Sequence, residues 1–491
     1  MSNAKVEKLN NELEHRYASN VSKYTRKVSN MERVFLWHSN CNVSMAARIK
    51  GNVSEERLSS ALNMVRQMHP LIGAKIMFDG DYNAWFSTEN VPQHKIKVVN
   101  RVSDTQWFGE LQKEVQSPFD LEIGPLVKFI LVHSQESSDL VVICNHSICD
   151  GMALVYLVRD LLNCYINPEK EIKTLFPPYS NEFLPDKGGF SLSSVFTRLI
   201  MYQVNRKWKK HPYYFTHEDY VALQTAYWEK NQYGAVLLEL DSEEAKTLSK
   251  QCTKNGVTVG SAVTTAFIAA YEDVLGPLTK SQKQISVPFD LRRHATTPIG
   301  DVFCFCIGST RFSYTYEPKK PFWKNVAVLH KEIHERVKKL DSSGLKAPNL
   351  HPTLMDAFSC FVPLKKVVPN AYEKTENLRQ FSQDTKNIAF EVAGKSEHLN
   401  PGIIPSNLGR LNIPENYGDL QIDRMVFLPA ISDIVPLILG GISIGGKMVF
   451  SMTYPEPKGR NMRIADEMIQ IRNRALKYLG FLDKASESAI M

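Results

Sequence analysis

The hydrophobic period of the chain switches on either side of position 146, and that switch restricts the available folds more than any other feature. Leu140-Val141-Val142-Ile143-Cys144 is a short apolar run rich in β-branched residues. It follows the polar loop Ser134-Gln135-Glu136-Ser137-Ser138 and reads as a strand. Beyond Gly151 the apolar residues Ala153, Leu154, Leu157, Val158 and Leu161 recur at helical spacing. A strand therefore gives way to a helix through Asn145-His146-Ser147-Ile148-Cys149-Asp150. His146 stands at the strand end, which faces a cleft more often than a core. An imidazole there can exchange a proton near neutral pH with a bound hydroxyl or amine. Asp150, four residues on, either orients the imidazole or pairs with a distant cation. Gly151 is expected to supply a backbone conformation that a side chain would obstruct. A lone histidine at a strand end is more often a hydrogen-bonded structural residue, so catalysis at His146 needs support from elsewhere in the chain.

At 491 residues the chain exceeds what one hydrophobic core normally supports, and two domains are expected. With 43% hydrophobic and 23% charged residues it has ordinary globular composition. The first thirty residues are polar and charged, unlike a signal peptide, and no later segment reaches the ~18 uninterrupted apolar residues of a membrane span. A soluble, cytoplasmic protein is expected. The eight cysteines form no C-x-x-C pair and are expected to be reduced and mostly buried. A net charge of +7 suits coenzyme A phosphates, an acidic carrier protein or anionic lipid. Nucleic acid is not expected, since no binding module accompanies the charge.

Strand and helix signals alternate along both halves. Val43 to Ile49 reads as a strand and Gly51-Asn52 as a turn. Ser54 then caps a helix with the apolar stripe Leu58, Ala61, Leu62, Val65 and Met68, which ends at His69-Pro70. Ala74 to Phe78 and Ala84 to Phe86 form a hairpin, and Leu126 to Val132 pairs with Leu140 to Cys144. In the second half, a helix follows Val257-Thr258-Val259, Ile285 to Pro288 is a strand leading into Asp290-Leu291-Arg292-Arg293, Ile442 to Phe450 is a hairpin and Ile464 to Leu479 a closing helix. Prolines among polar residues at 167–189 mark a crossing. The expected divisions are 1–180, a linker and basic aromatic segment at 181–220, and 221–491. Residues 196–210 read as a helix packed on its own protein with a solvated basic end, in preference to a helix lying on a membrane.

Taken in order, several segments resemble the coenzyme A-dependent acyltransferase superfamily, which includes condensation domains, BAHD plant enzymes, alcohol acetyltransferases and polyketide-associated acyltransferases. The His-x-x-x-Asp-Gly signature falls on His146, Asp150 and Gly151. Leu58-x-x-Ala61-Leu62 with His69-Pro70-Leu71, Pro118-Phe119-Asp120-Leu121 with Gly124-Pro125-Leu126, Val287 to Arg292, and Ser406-Asn407-Leu408-Gly409 match in the expected order over roughly residues 30 to 455. The resemblance implies an α/β fold of two similar chloramphenicol-acetyltransferase-like domains, each a mixed sheet with helices, arranged as a V around a central channel. It implies His146 as general base midway along that channel. Asp150 would pair with Arg292 to hold the loop, with Gly151 as further support for the site. Asn145 and Asn407 are candidate substrate contacts, and Asn407 could equally close a turn. Many condensation domains carry two successive histidines. Here Asn145 precedes His146, which favours ester-forming relatives over peptide condensation. The Asp-Phe-Gly-Trp-Gly motif of the plant enzymes is absent, and Asn416-Tyr417-Gly418-Asp419 is the nearest segment.

The function these features lead to is transfer of an acyl group from acyl-CoA, or a carrier thioester, to a small-molecule hydroxyl or amine in a ternary complex. No bound cofactor or metal is expected. The alternatives are a free-standing condensation enzyme forming an amide from carrier-bound substrates, with an acidic acyl or peptidyl carrier as partner, and a non-catalytic binding module. Cys149 as an acyl-enzyme nucleophile is disfavoured, because a cysteine in such a turn is usually a buried apolar residue. His330 and His334 have zinc-binding spacing, but Lys331 occupies the place of the glutamate in H-E-x-x-H, and a packed helix flank is preferred.

Overall fold

A computed structural model describes residues 24–38, 40–177, 192–295, 298–338, 350–396, 400–459 and 463–482. The polar leader before residue 24 and the proline-containing crossing at 178–191 lie outside these. The first half supplies strands β1 (Thr25–Lys27), β2 (Asn42–Lys50), β3 (Lys75–Phe78), β4 (Ala84–Ser87), β5 (Ile96–Asn100), β6 (Val127–His133) and β7 (Ser137–Asn145). The second supplies β8 (Asn231–Leu240), β9 (Gln284–Asp290), β10 (Ile307–Ser313), β11 (Ile403–Arg410), β12 (Asn416–Tyr417), β13 (Leu420–Leu428), β14 (Leu437–Ile444) and β15 (Lys447–Pro457). Helices used below are α1 (Glu55–Met68), α2 (Gly151–Ile166), α3 (Leu192–Trp208), α4 (Ser242–Lys254), α5 (Val259–Leu275) and α6 (Ile464–Leu479).

Two mixed six-stranded sheets carry the fold, in the orders β12-β13-β2-β7-β6-β5 and β10-β9-β11-β14-β15-β8, beside a small sheet β1-β4-β3. The α/β architecture expected from the sequence is the observed one. Strand β7 pairs with β2 and β6 in the middle of its sheet, and Leu140 through Cys144 are fully buried, which explains their unbroken apolar run. Helix α1 begins as its sequence dictates, with Ser54 Oγ accepting the Arg57 N–H at 3.3 Å, and it buries the whole stripe from Leu58 to Met68. Strands β14 and β15 turn through Gly445 and Gly446, at φ +58° and +76°, where a side chain would be strained.

The two halves are interleaved as well as juxtaposed. Strand β13 leaves the second half and pairs antiparallel with β2, setting Phe427 opposite Met45. Ser451 Oγ of β15 donates to the Phe427 carbonyl at 2.7 Å, and a Cβ on Gly440 would lie 2.6 Å from that same oxygen. The core beneath the first sheet accordingly mixes Val142 and Leu157 with Met425 and Phe427. A separate core, with Phe267, Ile471 and Leu476, lies beneath the second sheet.

Candidate active site

Strand β7 stops at Asn145 because the next residues form a turn held by that side chain. Asn145 is buried, and its Oδ1 accepts from the Ser147 N–H at 3.0 Å and the Ser147 hydroxyl at 2.6 Å. The Ile148 N–H donates to the Asn145 carbonyl at 3.2 Å. His146 is thereby turned out of the strand and is half-buried. Its Nδ1 lies 2.8 Å from the Cys149 carbonyl, an oxygen that can only accept, so Nδ1 carries the hydrogen. The other nitrogen, Nε2, keeps its lone pair and has no hydrogen-bond partner among the described residues. Burial pushes the imidazole below the ordinary histidine range, against the opposing pull of the Cys149 carbonyl and the Asp150 charge. The ring is uncharged at neutral pH and can accept a proton at Nε2.

The Asp150 carboxylate is fully engaged elsewhere. Its Oδ1 caps helix α2 by accepting the Ala153 N–H at 2.8 Å. Its Oδ2 accepts from Arg292 Nη1 at 2.9 Å and from the Cys306 N–H at 2.8 Å. The buried Arg292 guanidinium also donates to Asp290 Oδ1 and to the carbonyls of Val302 and Cys304, at 3.0 to 3.1 Å. One carboxylate and one guanidinium thus bind the start of α2, the end of β9 and the 302–306 connection into a single unit.

Gly151 serves a different purpose from the one its sequence context suggests. Its φ is not in the left-handed region. A Cβ there would lie 2.7 Å from Leu408 Cδ2 and 2.9 Å from Phe427 Cζ. Glycine is required because β11 and β13 press against the first turn of α2.

Asn407 projects from β11, with Oδ1 accepting the Gly409 N–H at 2.9 Å, and borders two cavities. The smaller, about 260 Å³, lies at the junction between Asp150, Met152, Arg293 and Leu408. The larger, about 940 Å³, lies in the second half beneath Lys246, Lys250, Thr258 and Arg410. His146 borders neither. Phe35 stands 4.4 Å from its ring and Phe305 5.5 Å, and the two phenyl rings are 5.3 Å apart. These two aromatics escape sequence reasoning because they lie in irregular segments without a hydrophobic period.

Cys149 is fully buried, and burial pushes its thiol well above the usual range, so it does not supply a thiolate. The His330 and His334 rings are 4.3 Å apart on the helix Phe322–Lys338, and the described residues give them no third side chain with which to hold a metal.

Two interleaved mixed sheets thus meet beside a histidine at the end of β7 and an aspartate that caps α2. A family model of the condensation domain matches residues 31–299, and the chain belongs to that family. The chain spans only a small part of the length of the curated relatives it matches. Among curated proteins it is 32% identical over 73 residues to surfactin synthase subunit 2 of Bacillus subtilis (strain 168), a stretch covering 15% of this chain and 2% of that protein. Among solved structures it is similar to the TRI3 trichothecene 15-O-acetyltransferase of Fusarium sporotrichioides, with TM-score 0.59, 14% identity and coverage of 93% and 95% of the two chains. Polyketide synthase associated protein 5 from Mycobacterium tuberculosis gives TM-score 0.57 and 14% identity, over 93% of this chain and 98% of that one.

Proposed function

We propose that the protein is an acyltransferase that moves an acyl group from acyl-CoA to a small-molecule hydroxyl or amine, with His146 as general base. The observation that carries this is the imidazole itself: Nδ1 donates to the Cys149 carbonyl, and Nε2 has no partner among the described residues, on an uncharged ring. In the reaction, Nε2 takes the acceptor proton as the oxygen or nitrogen attacks the thioester carbonyl. The tetrahedral intermediate collapses, the carbon–sulfur bond breaks, and the imidazolium returns the proton to the departing thiolate. General acid-base catalysis of this kind contributes roughly 10²- to 10⁴-fold. Both substrates are held at once, so no covalent enzyme intermediate forms.

The larger cavity suits the donor. Lys246, Lys250 and Arg410 supply cations for coenzyme A phosphates, and Asn407 joins that cavity to the recess at Asp150. Asp150, Gly151 and Arg292 hold the reactive turn in place. Asn145 acts through Ser147, positioning the turn from below.

The likeness to surfactin synthase supports a second reading, condensation of carrier-bound substrates into an amide. Purified protein assayed with an acyl-CoA panel and pooled hydroxyl and amine acceptors, in parallel with carrier-bound thioesters, separates the two. Thiol release from acyl-CoA is expected. Turnover with carrier thioesters alone would favour condensation, and binding without turnover would leave a non-catalytic module.

A further inference from the structure

Between Asp186 and Glu218 the sequence has no acidic residue, yet it carries Lys187, Arg198, Arg206, Lys207, Lys209 and Lys210. Most of that span is helix α3, which has two unlike faces. Trp208 is fully buried and donates to Thr353 Oγ1 at 2.9 Å, and Met201 and Val204 pack on the core beside it. The opposite face leaves Leu199 and Tyr202 exposed at 59 and 63%, which is unusual for residues that a helix of this kind would bury, and Ile200, 41% exposed, lies on the flank between the two faces. At 100° per residue, Arg198, Tyr202, Arg206 and Lys209 follow one stripe, with Leu199 and Lys210 beside it. Of Arg198, Arg206, Lys207, Lys209 and Lys210, only Lys207 has a carboxylate within 4.0 Å among the described residues, Glu391 at 3.9 Å. A recess of about 420 Å³ opens alongside, bordered by Tyr202, Arg206, Lys209 and His351.

We propose that this face of α3 docks on an anionic lipid bilayer. Aliphatic and aromatic side chains set between long basic ones suit a lipid interface, where the apolar groups enter the acyl boundary and the ammonium and guanidinium groups stay at headgroup phosphates. The recess between Arg206 and Lys209 takes one such phosphate. An acidic protein would satisfy the charges, but it would leave the exposed Leu199 and Tyr202 without an apolar counterpart unless it carried one. The helix lies along the surface: no helix among the described residues is long and apolar enough to cross a membrane. This proposal is independent of the acyl-transfer reading.

The test is sedimentation of the full chain with vesicles of phosphatidylcholine alone and of phosphatidylcholine with phosphatidylserine, beside soluble polyglutamate as an acidic competitor. Binding is expected only with phosphatidylserine, falling steeply as salt rises from about 0.1 to about 0.5 M. The pairs R206E/K210E and L199S/Y202S, both at exposed positions, should each weaken it by about tenfold or more. If the charge-reversed pair does not fold, the serine pair alone decides. No sedimentation with phosphatidylserine, equal binding by the serine pair, or capture by polyglutamate without vesicle binding would overturn the proposal.

Discussion

Asp150 and Arg292 meet at 2.9 Å across the junction of the two sheets, and the contact commits the carboxylate to the scaffold instead of to the imidazole four residues before it. Both groups are buried, and burial alone would lower the arginine's pKa, but the Asp150 charge overrides it and holds Arg292 protonated. Removing Arg292 leaves the Asp150 carboxylate an uncompensated charge in the interior, at a cost of about 3 to 5 kcal/mol, whereas removing Asp150 strips α2 of its cap and leaves Arg292 only Asp290, at 3.1 Å, as counter-charge among the described residues. Asp150→Ala and Arg292→Ala should therefore lower the urea midpoint strongly, with Asp150→Asn less damaging because an amide oxygen can still cap α2. A folded Asp150→Ala protein without activity would assign the carboxylate a direct chemical role instead.

Crowding at Gly151 predicts a second loss of stability. Gly151→Ala places a methyl group within contact distances shorter than carbon atoms tolerate, and overpacking of this kind costs about 1 to 3 kcal/mol. Thermal unfolding should show the cost shrinking in a Leu408→Ala background, since Leu408 is the nearer obstacle. Equal costs in both backgrounds would mean that backbone conformation governs the position.

Phe35 and Phe305 control how dry the imidazole is. Burial is the main cause of the depressed His146 pKa, so Phe35→Ala should admit water and raise it towards 6.5, as read from the histidine ring protons by NMR. An unchanged value would show that Phe35 does not shield the ring.

Acid should destabilise the fold from about pH 6.5 downward. Burial lowers the His38 and His94 pKa values to about 4, and it lowers His146 as well. A folded pKa below the unfolded value means that the unfolded chain binds more protons between the two. Stability from these groups is complete above about pH 6.5 and is lost as pH falls towards the folded values. Urea titrations at pH 7 and about pH 5 should show that loss, and His94→Gln should reduce it.

Much of this scaffold was legible in the residues. The Ser54 cap, the stripe of α1, the β14–β15 hairpin and helix α6 at Ile464–Leu479 all follow from local chemistry and period. What depends on distant partners was not. Nothing near Phe427 announces that β13 will pair with β2, and nothing near Gly151 reveals Leu408 beside it. The Asp150 and Arg292 partnership was suggested by family resemblance, since two residues 142 positions apart leave no local trace. Phe35 and Phe305 gave no signal at all, because a turn has no hydrophobic period to read.

The proton-accepting role of His146 is tested most directly by the rate of thiol release from acyl-CoA, compared between the native chain and His146→Ala at equal folded concentration. Loss of about 10²-fold or more in kcat/KM, with the unfolding midpoint nearly unchanged, is the predicted result. Turnover by the alanine protein at the native rate would contradict it.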